Sequence, residues 1–255
     1  MMKQVLSAAI LAVGVAAPAA AQTQGVPVAV QGQNGVEGKL SFTIKAGLET
    51  HWGGNVHDAG SGTILGLPAE VESRNWNDAY DPGFRFSVGI GYGFSPRMEG
   101  IAAFSYGVMG AKEMEVGTVA GLPLEAQFAD YEDWTLEGGV RYYFAPDRSF
   151  NPYLSGVFGI RNIDAIPGTF SVPDVNVTFE DVGFYNDSTV FMWGIDFGAQ
   201  WRLTDNTSFG VESGFRWQAS PGEVEGFAGT GLEGLNDAGS RFALPILGTL
   251  TFHFD

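Results

Sequence analysis

The chain has 255 residues, enough for one large domain or two small ones. It carries 29 acidic and 13 basic residues, a formal charge of -16, which makes nucleic acid a poor partner because phosphate needs a basic face. It has no cysteine, which excludes disulfides, thiolate metal sites and cysteine nucleophiles, and its 37 glycines follow no G-x-y repeat, which excludes collagen.

The first element is an export signal. Met1-Met2-Lys3-Gln4 is followed by an apolar stretch from Val5 to Ala17 and then by Ala19-Ala20-Ala21, an A-x-A-like site. This predicts a signal peptide over 1–21, with Gln22 as the mature N-terminus, rather than a membrane helix. Residues 22–37 read as a periplasmic lead and 38–255 as one domain. No later segment approaches the roughly 18 uninterrupted apolar residues that a spanning helix needs.

From residue 38 onward, large apolar residues alternate with small or polar ones, the two-residue period of β-strands. Eight segments are predicted. Residues 39–50 set Leu40, Phe42, Ile44, Ala46 and Leu48 against Ser41, Thr43, Lys45, Gly47 and Glu49. In 84–94, Phe84, Phe86, Val88, Ile90, Tyr92 and Phe94 face away from Arg85, Ser87 and three glycines. Residues 98–108 oppose Phe104 and Tyr106 to Glu99 and Ser105, and residues 133–144 oppose Trp134, Leu136, Val140, Tyr142 and Phe144 to Asp133, Glu137 and Arg141. Residues 152–161 oppose Leu154, Phe158 and Ile160 to Tyr153, Ser155 and Arg161. Residues 190–202 oppose Phe191, Trp193, Ile195, Phe197 and Trp201 to Asp196, Gln200 and Arg202. Residues 207–217 oppose Phe209, Val211, Phe215 and Trp217 to Ser208, Glu212 and Arg216. The last segment sets Phe242, Leu244, Ile246, Leu250, Phe252 and Phe254 against Arg241, Pro245, Thr249, Thr251 and His253, and Pro245 costs a ladder bond or marks a bulge.

These runs are about 10–13 residues long, nearer the 9–11 of a tilted membrane strand than the 5–6 of a globular one. The links between them alternate without exception. Short turns fall near 95–97, 145–151 and 204–206, and long links near 51–83, 109–131, 162–189 and 218–239. Short periplasmic turns and long outer loops are the habit of membrane barrels. The long links are acidic and rich in Gly, Pro, Asn and Asp, and read as solvated loops. The fold class is therefore all-β: an eight-stranded antiparallel up-and-down transmembrane β-barrel over 38–255.

In such a barrel the apolar parity meets lipid and the polar parity fills the lumen. The inward parity holds Lys45, Arg85, Arg141, Arg161, Arg202, Arg216 and Arg241, with Glu49, Glu99, Asp133, Glu137, Asp196 and Glu212. This near-balance predicts an internal ion-pair network, since buried charge is tolerable only when paired. Inward glycines such as Gly194 and Gly214 leave room for long side chains. Trp134, Tyr142, Phe144, Trp201, Trp217, Phe252 and Phe254 cluster near strand ends and suit an aromatic girdle at headgroup level. Tyr143 and Tyr153 have inward parity and fit that girdle less well.

Little points to chemistry. His51 and His57, with Asp58 nearby, match no zinc-site spacing, and nothing singles out a nucleophile for His253. No catalytic residue, metal site or cofactor is expected.

The stretches Gly89-Ile90-Gly91-Tyr92-Gly93-Phe94-Ser95-Pro96, Gly138-Gly139-Val140-Arg141-Tyr142-Tyr143-Phe144 and Asn151-Pro152-Tyr153-Leu154 resemble the small outer-membrane β-barrel proteins, the OmpA-like transmembrane-barrel and opacity-protein group. The resemblance covers roughly 38–254. That family closes on an aromatic residue that helps the assembly machinery recognise the barrel; here Phe254 matches in character, and Asp255 after it departs from the pattern. The resemblance implies a non-enzymatic protein of the cell outer membrane of a Gram-negative bacterium, monomeric, with outer-membrane lipid and the barrel assembly machinery as partners. The expected role is structural or surface-interacting. A small-solute porin or carrier of small apolar ligands is the second reading, and a soluble periplasmic ligand-binding barrel the third.

Overall fold

The computed structural model describes residues 35–224, 227–237 and 239–255; the expected signal peptide and most of the lead lie outside them. Eight long strands form one closed barrel: β1 (Leu40–Gly53), β2 (Gly83–Ser95), β3 (Met98–Met109), β4 (Tyr131–Tyr143), β5 (Phe150–Ile163), β6 (Ser188–Arg202), β7 (Thr207–Gln218) and β8 (Arg241–Phe254). Each pairs antiparallel with its neighbour in sequence. β8 returns to β1, with registers running from Leu40↔Phe254 to Thr50↔Leu244, so no strand edge is left open. The strands match the predicted segments to within about three residues at either end. Pro245 does interrupt a ladder: pairing of β8 with β7 lapses between Ser213↔Ile246 and Arg216↔Ala243, and the Ser213 hydroxyl donates to the Pro245 carbonyl at 2.9 Å.

The period-two pattern decides what faces out. Apart from Leu65, Leu67 and Val175, every exposed large apolar side chain among the described residues lies on a barrel strand or within one residue of its end. Phe158 and Phe197 are 63% exposed and Ile90 is 64% exposed, while their sequence neighbours of opposite parity point into the lumen. An apolar belt around a closed barrel with a polar interior is the surface of a transmembrane barrel, not of a soluble one, which would invert it. The girdle positions Trp134, Tyr142, Phe144, Trp201, Trp217, Phe252 and Phe254 all lie on this outward side, half-buried or exposed. Trp201 packs on Phe150 at the short-turn end, and Trp217 on Phe191 and Trp193 at the other. Trp52, 65% exposed and edge-on to Phe215, joins the belt from a position where the predicted strand had already ended.

The long links are not solvated loops, which corrects the expectation from composition. Their hairpins continue beyond the barrel as a second, seven-stranded sheet. Its strands run 222–223, 177–186, 166–172, 122–128, 113–119, 67–71 and 60–64 in spatial order. The segment 227–237 bonds to the 60–64 side, Thr63 N–H donating to the Thr230 carbonyl and Asp58 N–H to the Leu235 carbonyl. The sheet alternates as the barrel does, but inverted. Val116, Leu124, Ala126, Phe128, Ile166 and Phe170 point inward into an apolar core, and Glu113, Glu115, Glu125 and Gln127 are half-buried or exposed on the other face. The acidic outward parity made these segments look like loops; the inward parity folds them into a cap. Extended hairpins also satisfy their own backbone groups, which long irregular loops could not do over an apolar core.

Candidate functional site

The barrel interior is built from the inward side chains of all eight strands. Two glycine positions show how they fit: a Cβ at Gly107 would come within 2.6 Å of an Arg85 Nη atom, and one at Gly194 within 2.5 Å of Arg216 Nη1. Small residues on one strand therefore clear space for long charged ones on the next.

At the cap end of the lumen Glu49, 1% exposed, meets three guanidinium groups: Arg85 at 2.7 Å, Arg241 at 3.0 Å and Arg161 at 3.3 Å. Asp133 takes Arg85 at 2.7 Å and Arg161 at 3.5 Å. Arg161 also donates to Thr135 at 3.1 Å and to Gln218 at 2.9 Å. In the middle Arg216 pairs with Asp196 and lies 3.6 Å from Glu137. Nearer the short turns Glu212 meets Lys45 at 2.5 Å and Arg141 at 3.3 Å, and Arg141 reaches Glu99 at 3.5 Å. Ser41 donates to Glu99.

Twelve of the thirteen predicted lumen residues thus come together as six cations and six anions, a set with no net charge. The thirteenth is a correction: Arg202 is exposed and donates to the Pro146 carbonyl at 3.2 Å. Its parity is inward, but it is the last residue of β6, at the open short-turn mouth beside Gln200 and His253, and parity does not say where the lumen stops.

Two residues that sequence reasoning set beside the girdle belong to this network. Tyr153 donates to Glu212 at 2.8 Å and Tyr143 to Glu99 at 2.7 Å, and the Arg141 guanidinium lies 4.3 Å from the centre of the Tyr153 ring. Their inward parity was the available signal. Val36, from the lead, packs against both rings and bonds to the Pro96 carbonyl, closing the short-turn end.

Two spaces left among these side chains are small. One of about 20 Å³ lies among Ser41, Thr43, Lys45, Glu137 and Arg141, and one of about 10 Å³ among Glu49, Arg85, Arg161 and Arg216. Each holds roughly one water, which needs about 10–15 Å³.

An aromatic plate separates the charged lumen from the cap core. Trp76, on a four-residue helix (Trp76–Ala79), stacks on Tyr80 and Tyr185 and meets Tyr131 edge-on, with ring centroids 5.8–5.9 Å apart. Arg241 places its guanidinium 4.2 Å from the Tyr131 ring centre, a cation–π contact that joins the two layers. The Tyr185 hydroxyl donates to the Val56 carbonyl at 2.7 Å and the Tyr80 hydroxyl to that of Ala129 at 3.0 Å.

The histidines considered for metal sit in different surroundings. His51 is held against Trp76, Tyr80 and Tyr131, and His57 against Phe128 and Phe184. Among the described residues no three His, Asp or Glu side chains converge as a metal would require.

His57 is 2% exposed, and its Nε2 has no hydrogen-bond partner among the described residues. Burial pushes its pKa below the ordinary histidine value, although the Asp58 carbonyl pulls it back. The unfolded cap therefore binds this proton more readily than the folded cap. Stability from neutral His57 is complete above about pH 6.5 and is lost as pH falls from there toward the depressed value. We expect proteolysis within 55–75 to quicken between pH 7.5 and 5, and His57→Phe to flatten that dependence. Equal pH slopes in the two proteins would remove His57 as the cause.

No family model matches the chain, and no curated protein matches it. Among solved structures it is similar to Neisserial surface protein A, at 11% identity, covering 86% of this chain and 100% of that one, with a TM-score of 0.44. It is also similar to the outer membrane protein OprG from Pseudomonas aeruginosa, at 13% identity over 87% and 98% of the two chains, with a TM-score of 0.43. Ail, the attachment invasion locus protein of Yersinia pestis, is similar at 14% identity over 86% and 99%, with a TM-score of 0.41.

Proposed function

We propose that this is a monomeric, non-conducting barrel of a Gram-negative outer membrane, with a structural or surface-interaction role carried by its cap. The apolar belt, the even strand number and the signal-like N-terminus support the outer membrane as its place, and closure makes one chain sufficient. On this reading the short turns face the periplasm and the cap faces outward. The barrel assembly machinery and outer-membrane lipid are its partners in reaching and holding that position.

One observation carries the non-conducting reading: the six cations and six anions pair across the lumen, and the two spaces described among them hold about one water each. A porin needs a continuous wet path, and here paired charges and then an aromatic plate stand across it. The same arrangement disfavours through-passage of apolar molecules, which would have to cross a fully charged layer.

The test is single-channel recording on protein extracted from outer membranes that shows a faster-migrating unboiled band. We expect no conductance steps above the bare bilayer. Regular steps would make it a porin. Recovery only in the soluble periplasmic fraction, without a gel shift, would promote the soluble ligand-binding barrel.

A further inference from the structure

The cap core is not fully packed. Between its sheet and the 227–237 segment lies a cavity of about 240 Å³, floored by Val116, Leu124 and Leu232 and walled by Phe170, Phe179 and Phe227. Among the described residues no charged side chain lines it. Thr230, the one polar lining side chain among the described residues, is already engaged: the hydroxyl donates to the Phe227 carbonyl at 2.5 Å and accepts from Leu232 N–H at 3.1 Å. Water in this space would lack the two to four polar partners that hold buried water, whereas an apolar cavity of about 150 Å³ is enough to take up benzene. The space suits a single aromatic ring or a short alkyl group.

The cavity opens toward the hairpin tips. A second recess, of about 90 Å³ and wholly apolar, shares Ile64, Leu65 and Phe179 with it. Leu65, Leu67 and Val175 line this entrance, exposed by 76%, 49% and 54%. They are the three large apolar side chains noted above as exposed away from the lipid-facing belt. Isolated apolar exposure needs no explanation, but exposure gathered at the mouth of an apolar cavity points to something that enters it.

The surroundings select for charge. The four long links carry eighteen acidic residues against only Arg74 and Lys112. Glu113, Glu115 and Glu125 crowd the face of the sheet turned away from the cavity, where partial desolvation and the acidic neighbours hold the Glu125 carboxyl above its ordinary pKa, and Asp174, exposed, adjoins Val175 at the entrance. Such a field repels anions and concentrates cations. The aromatic plate lies beneath the cavity and the paired charges of the lumen beneath that. The site retains a ligand rather than conducting one.

We propose that the cap is a binding cup for a small organic cation, whose aromatic or short alkyl group fills the cavity while its charged head stays in water at the entrance, within the field of the acidic links. The apolar part is desolvated by Val116, Leu124 and the three phenylalanines. The head remains hydrated and is held by the field of the links, so binding weakens as salt is added.

Methyl-detected NMR on the full chain in nanodiscs tests this, with benzyltrimethylammonium and benzoate as probes of similar size and opposite charge. We expect saturable shifts of the Val116, Leu124 and Leu232 methyl groups with the cation, at least tenfold tighter than with benzoate. Val182→Trp fills the cavity from a half-buried position and should abolish them. Leu65→Asn removes an apolar wall at the mouth where φ is 53°, a conformation asparagine tolerates, and should weaken binding severalfold even if the tryptophan variant does not fold. Absence of saturable shifts, equal affinity for benzoate, or unchanged binding in folded variants would each overturn the proposal.

Discussion

Glu49→Ala is expected to abolish detergent resistance of the barrel at temperatures the unaltered protein withstands. Glu49 is the shared partner of Arg85, Arg161 and Arg241. Without it, Asp133 is the one carboxylate left to Arg85 and Arg161, and Arg241 keeps only neutral neighbours such as the Tyr131 ring. Removing one partner of a buried pair costs about 3–5 kcal/mol, because the remaining charge stays desolvated and uncompensated. Here one substitution leaves Arg241 without a carboxylate and makes Arg85 and Arg161 share one, so the loss belongs at the upper end of the range. The measurement is the temperature at which the faster unboiled band disappears on a denaturing gel. Glu72→Ala is the control: it breaks a 2.9 Å pair with Arg74 whose carboxylate is 69% exposed, and exposed pairs contribute little. If the two substitutions lowered that temperature equally, the lumen pairs would not be what holds the barrel.

The second large effect is Trp76→Ala. Trp76 has no exposed surface and touches Tyr80, Tyr131, Tyr185 and His51. Truncating a buried tryptophan costs about 3–5 kcal/mol in transfer and cavity terms. The cost falls on the cap, since the barrel strands keep their own ladders and their own ion pairs. We expect rapid proteolysis of the long links while the barrel fragments still migrate as a heat-modifiable unit. Loss of the gel shift together with the cap would mean that the two layers unfold as one cooperative body.

The barrel was legible in the sequence because two different solvents act on one strand. Lipid on one side and a charged lumen on the other enforce a strict alternation, so Phe84 through Phe94 or Phe191 through Trp201 admit one reading. The same parity placed twelve of the thirteen lumen charges. It failed at Arg202 because alternation runs to the mouth of the barrel, where an inward side chain meets water rather than a partner. Tyr143 and Tyr153 were ambiguous because tyrosine suits both headgroups and buried networks, and only the position of Glu99 and Glu212 across the barrel decides between them.

The cap was not legible for a related reason. Glu113-Met114-Glu115-Val116 and Ile166-Pro167-Gly168-Thr169-Phe170 alternate, but in short runs, the first dominated by acid and the second broken by Pro and Gly. Local composition said loop. Pairing between hairpins far apart in sequence, such as Val71 with Gly117 and Phe170 with Ala126, made strands of them. The cavity within the cap follows from that pairing, and no single segment announces it.

The strand order of the second sheet has a consequence for assembly. The links 51–83, 109–131 and 162–189 contribute neighbouring strands in chain order, and the segment 227–237 bonds to the first of them. The sheet can be finished only after all four links have crossed to the same side. Once it closes, drawing any one hairpin back would mean unzipping its neighbours and wetting the Trp76 core. The cap is therefore a latch: it forms last, and it turns a reversible passage through the bilayer into a committed one.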